Sequence, residues 1–189
     1  MFLFKRPTNV QISRFTLSQR DSPFSYTEVG ATREDLPGGY IIDRNRVKLG
    51  RGEEVFKRAV AAIKDWRQFD LGWVNIVPLG TPLEVGAVVT VLTRQFGLWS
   101  LNACRVVYLF DETLPVRKFG FAYGTLADHV EQGEERFTIE WHANDEVWYD
   151  ILAFSRPKKL IVKLGFPFTR ALQKRFARDS KRRMVSVCS

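Results

Sequence analysis

A chain of 189 residues is long enough for one domain with a substantial core and short for two. With 45% hydrophobic and 26% charged residues it is globular rather than disordered, and a net charge of +8 points to an anionic partner only where the excess is gathered in one place. Two cysteines, Cys104 and Cys188, supply neither a disulfide framework nor a metal motif, and Lys5, Arg6 and Pro7 interrupt the apolar start before a signal-peptide core or membrane span could form. The expectation is a soluble protein of a reducing, cytoplasmic compartment. Fifteen Phe and five Trp exceed what a core of this size needs, so some aromatics should line a cavity.

In chain order, residues 1–24 read as an N-terminal extension carrying a first turn or short helix. Phe24 to Ala31 resembles a short strand, and Leu36-Pro37-Gly38-Gly39 breaks the chain before a second extended run from Tyr40 to about Leu49. Val55, Phe56, Ala59, Val60, Ile63 and Trp66 then recur at helical spacing. The Gly50-Arg51-Gly52 turn before them lacks the length and the Lys-Ser/Thr of a phosphate-binding loop, so it reads as a turn into the helix. Strands are predicted over Ala87 to Arg94, Leu98 to Phe110, Val116 to Gly124, Arg136 to His142 and Val147 to Ser155. Short connections between them predict an antiparallel meander, with Asp128-His129 and Gln132-Gly133 as turn residues.

Pro157 sits where the first turn of a helix tolerates it, so Lys158 to Leu164 reads as helical until Gly165-Phe166-Pro167 bends the chain. A second helical stretch places Phe168, Leu172 and Phe176 on one stripe. Arg170, Lys174, Arg175, Arg178, Lys181, Arg182 and Arg183 cover its remaining surface, and the chain after Arg178 is expected to fray.

The most informative stretch is Phe119 to Trp141. Phe119, Phe121 and Tyr123 alternate with Gly120, Ala122 and Gly124, giving a strand with one bulky and one bare face. The bare face would let a helix approach or let the sheet curl.

A strand pair, a helix, a run of antiparallel strands and a long C-terminal helix form the order of a helix-grip α+β fold, in which a curved antiparallel sheet wraps around the last helix. The resemblance extends to motifs: Leu49 to Phe56, Trp66, Trp73, Phe119 to Leu126, and Trp148-Tyr149-Asp150 resemble uncharacterised protein family 0548 from about Ser25 to Arg183. That family is similar in layout to the START-like, polyketide-cyclase-like ligand-binding proteins. The resemblance implies a cavity for a hydrophobic ligand and supplies no reaction. The domain is accordingly read as 25–183, with 184–189 as a tail.

Chemistry-bearing residues are sparse. His129 and His142 match no zinc spacing, so neither a metal nor another cofactor is expected. There is no Gly-x-Ser-x-Gly elbow. Asp150 shares a strand face with Trp148, Leu152 and Phe154, and if buried it needs Arg105 or Arg117 as partner or a raised pKa. Asp150 and His129 are therefore the catalytic candidates. The leading expectation is a small-molecule binding or carrier protein, not an enzyme, with Trp99, Tyr108, Phe119, Phe121, Tyr123, Phe137, Trp141 and Tyr149 as ligand-lining candidates. The alternatives are a cyclase, isomerase or hydrolase using the same cavity, and an interaction protein whose basic C-terminal helix docks on an anionic membrane surface. Nucleic acid is disfavoured because the basic residues lie far in sequence from the aromatic strand and no RNP-like motif accompanies them.

Overall fold

Alternating large apolar and small or polar residues carry most of the architecture. The computed structural model describes residues 2–158 and 166–189. In chain order the elements are β1 (Phe2–Leu3), α1 (Asn9–Ser18), β2 (Ile41–Arg51), α2 (Glu53–Lys64), a 3-10 turn (Arg67–Phe69), β3 (Val74–Val77), β4 (Val88–Gln95), β5 (Leu98–Glu112), β6 (Arg117–Thr125), β7 (Glu131–Trp141), β8 (Glu146–Pro157) and α3 (Phe166–Cys188). Among the described residues one antiparallel sheet runs β2-β8-β7-β6-β5-β4-β3, with β1 added against the start of β5. The meander from β4 to β8 is as expected, β3 adds an unforeseen strand at its start, and β2 extends it beyond β8, pairing from Ile41↔Ser155 to Arg51↔Glu146. Register shifts at Lys48/Gly50 and Val106/Tyr108 mark bulges, which bend a sheet. The result is a helix-grip fold, a curved sheet with α3 across its concave face.

The helices start and stop for local reasons. Thr8 and Gln11 form a reciprocal capping box at α1. Gly52, at φ 89°, turns the chain out of β2 into α2, where Glu53 and Glu54 face the positive end of the helix dipole and Lys64 the negative end. Phe56, Ala59, Ala62 and Ile63 make its buried side. In α3, Ala177, Ser180, Met184 and Cys188 form a buried stripe, so the helix is held to its end and does not fray after Arg178. Leu172 and Phe176 of the expected stripe do face the sheet side and line a cavity, while the side chain of Phe168 lies outside the described residues. The helix expected from Lys158 to Leu164 lies, apart from Lys158, outside the described residues, and Pro157 closes β8.

Three further expectations are corrected. Phe24 to Ala31 is no strand: Phe24 makes a single bridge to Leu126, and the residues up to Tyr40 run irregularly over the convex face. The bare face of β6 receives that segment and not a helix. A side chain at Gly124 would collide with the Tyr26 ring, and one at Gly120 with Phe110. Gly133 is also not a turn residue, because β7 begins at Glu131 and the β6–β7 connection is 126–130.

Candidate functional site

The concave face is solid at one end and hollow at the other. Under α2 and the second half of α3, Phe121, Phe137, Ile139 and Tyr149 are completely enclosed, and the Tyr149 hydroxyl lies 2.9 Å from Ser180 Oγ. Toward the first half of α3 the same strands present smaller or polar residues, and a cavity of about 470 Å³ remains. Its apolar wall includes Phe69, Trp73, Tyr123, Leu172 and Phe176. Phe69 reaches it because Trp66, at φ 58°, turns the chain from α2 into the 3-10 turn. The ring of Phe69 then packs 5.8 Å from Tyr123 and 5.2 Å from Phe176.

Of the eight aromatic candidates only Tyr123 lines the cavity. Phe119, Phe121, Phe137 and Tyr149 share its face but belong to the packed core. Trp141 packs 5.9 Å from Phe56 and donates to Asp145, away from the hollow end. Trp99 and Tyr108 are on the opposite face, Trp99 against Ile12, Leu92 and Leu101 and Tyr108 hydrogen-bonded to Thr32.

Asp150 also lies on the convex face. Its neighbour is Arg136, at 4.0 Å, and not Arg105 or Arg117. Burial raises its carboxyl pKa while Arg136 opposes the shift. His129 does line the cavity, and its Nδ1 accepts the Glu131 backbone N–H at 3.0 Å. Burial pushes its pKa down to about 4, so the ring is neutral at physiological pH.

Two cavity-lining carboxylates, Glu131 and Glu135, were not among the catalytic or ligand-lining candidates. Both sit on β7 in the alternation Glu131, Gly133, Glu135, Phe137, which was the signal that could have found them. Glu131 accepts Gln173 Nε2 at 2.8 Å, and Glu135 accepts the Tyr123 hydroxyl at 2.8 Å. Burial pushes each up to about 7, against the lowering effect of these hydrogen bonds. Asp43, at the same end, is neutralised by a two-pronged pair with Arg170. Among the described residues no cluster of His, Cys, Asp and Glu is arranged to hold a metal, and no helix is long and apolar enough to cross a membrane.

Residues 25–183 match the model of a domain of unknown function, DUF1990. The chain belongs to the DUF1990 family. A curated relative from Dictyostelium discoideum, named UPF0548 protein, is 38% identical over 99% of this chain and 95% of that one. A second of the same name, from Deinococcus radiodurans, is 38% identical over 98% of each chain. Among solved structures, a hypothetical protein from Helicobacter pylori superposes with a TM-score of 0.51 at 11% identity, covering 88% of this chain and 96% of that one. This last likeness concerns fold alone. The Gly50-Arg51-Gly52 turn carried by this DUF1990 chain serves as the α2 start, with the Gly52 N–H donating to the Asp145 carbonyl at 3.0 Å.

Proposed function

We propose that the protein binds a hydrophobic small molecule in the cavity between α3 and the concave sheet and acts as its carrier. The observation that supports this most directly is the cavity itself, about 470 Å³ with aromatic and aliphatic walls, which falls within the size range of drug-like ligand sites. Packed interiors do not leave such a volume without cost, because side chains facing empty space forgo dispersion contacts. The alternative of docking through a basic α3 has less support. Arg170 pairs with Asp43, Arg175 and Arg178 share Asp179 at the surface, and Arg183 pairs with Asp70, so several of these charges already have an acidic neighbour within the chain. An enzyme using the cavity would have His129, Glu131 and Glu135 within reach but not Asp150.

The test combines native mass spectrometry of gently purified protein with titration of a fluorescent apolar dye. A retained apolar molecule or a saturable dye site is expected. Ala153→Trp, which puts an indole where a methyl group lines the cavity, should abolish dye binding while the far-ultraviolet circular dichroism is unchanged. Absence of any retained molecule together with no saturable dye site would defeat the reading.

A further inference from the structure

The protein carries a net charge of +8, yet among the described residues the ionisable groups facing its cavity are mostly carboxylates, Asp43, Glu131 and Glu135, beside the neutral His129 and one lysine, Lys174. Asp43 has its own counter-ion in Arg170. Glu131 and Glu135 have no such pair among the described residues: Arg170, engaged with Asp43, acts on Glu131 only at longer range, and each glutamate has one neutral side-chain donor, Gln173 or Tyr123. An ionised carboxylate offers about four acceptor positions, so most of that capacity is unused. Asn102 lines the same cavity, is 8% exposed, and its Oδ1 is a buried acceptor without a partner.

Neighbouring Glu134 shows that these vacancies are not forced by the sheet. It is turned to the other face, where the Tyr26 hydroxyl, the backbone N–H of Gly30 and the N–H and hydroxyl of Thr32 all donate to it. The cavity wall therefore holds unspent acceptors beside the aromatic rings of Phe69, Tyr123 and Phe176. A ligand headgroup that fits must bring donors and positive charge. A primary ammonium has three donors and no acceptor, and its charge is attracted by aromatic faces.

Resting on the reading of the cavity as a ligand site, we propose that its ligand is an amphipathic amine, held with its ammonium on the β7 wall that carries Glu131 and Glu135 and its apolar body against Phe69, Tyr123 and Phe176. A fatty carboxylate or phosphate headgroup is disfavoured at the same place, because it would bring two like charges together and leave the wall's acceptors unpaired. Burial holds both glutamates near a pKa of about 7, so an arriving ammonium would draw them into the charged form and release protons below that pH.

The experiment is calorimetric titration of the full chain with octylamine, octanol and octanoate, above the pH at which the glutamates titrate. Octylamine is expected to bind on the order of tenfold more tightly than octanol, with octanoate weakest. The amine's advantage should shrink as pH falls through about 7, and Glu131→Gln with Glu135→Gln should level amine and alcohol while leaving octanol affinity intact. If the double variant does not fold, Glu131→Gln alone should lower the amine-to-alcohol ratio. Equal binding of octanol and octylamine, or preference for octanoate, would overturn the amine assignment while leaving the ligand cavity standing. Failure of all three probes together with absence of a saturable dye site would bring down both.

Discussion

Glu134 and Glu135 are consecutive residues of one strand, and they have opposite surroundings. Glu134 is 2% exposed on the convex face and accepts from Tyr26, Gly30 and Thr32, so its carboxylate is an internal fastener for the irregular segment that covers that face. Glu135 on the concave face accepts one hydrogen bond and looks into the cavity. Saturated burial fixes a structure, whereas burial with acceptors left over stores binding capacity at some cost in stability. The two faces of β7 thus separate what holds the fold from what the fold offers to a ligand.

The largest break in this contrast should come from Glu134→Ala. It strands the Tyr26 and Thr32 donors in the interior and should lower stability by about 4 kcal/mol in denaturant melts, with the convex segment becoming accessible to protease. A Glu134→Ala protein as stable as the wild type would mean that the network is ornamental.

Glu135→Gln should act in the opposite direction, and only at one end of the pH scale. A carboxyl whose folded pKa is raised from 4.5 to about 7 contributes its full share of stability below 4.5 and loses it as pH rises through about 7. The glutamine variant escapes that loss. It should be more stable than wild type above pH 7 by up to roughly 3 kcal/mol, and equal to it near the acid end. His129 sets the other limb, because a pKa depressed from 6.5 to about 4 gives stability that is present above 6.5 and lost as pH falls through about 4. His129→Asn should therefore flatten the acid side of the same melting curves. A wild-type profile unchanged by either substitution would contradict the burial assigned to these groups.

The smallest effect is expected from Asp150→Asn. The residue is on the convex face beside Arg136, out of reach of the cavity, so stability should change by less than about 1 kcal/mol and probe affinity not at all. Loss of octylamine or dye binding in this variant would show that the two faces are coupled.

Much of the fold was legible because period and spacing act locally. The alternation from Phe119 to Tyr123 against Gly120 to Gly124, the helical recurrence from Phe56 to Ile63 and the short turns between the later strands lead to a sheet with a helix across it, and the structure has that arrangement. The strand bounds lie within a few residues of those read from the pattern, with β7 as the main exception. It starts at Glu131 rather than Arg136, because a glycine such as Gly133 can sit inside a strand where its backbone, at φ 152°, follows the bend. Reading Gln132-Gly133 as a turn cut off the segment that carries both cavity glutamates.

Alternation by itself determined that Phe119, Phe121, Tyr123, Phe137 and Tyr149 share one face, since successive side chains of a strand must point to opposite sides. Only the tertiary structure decided which of them meets a packed helix and which meets open space. That depends on where α2 ends, on how the 3-10 turn swings Phe69 under the sheet, and on which half of α3 lies over which strand end. None of these distances is encoded in the period of a strand. The same holds for the charges: the residues of β7 alternate in sequence, but whether a carboxylate finds four donors or one is settled by segments more than one hundred residues away, as Glu134 shows with Tyr26 and Thr32.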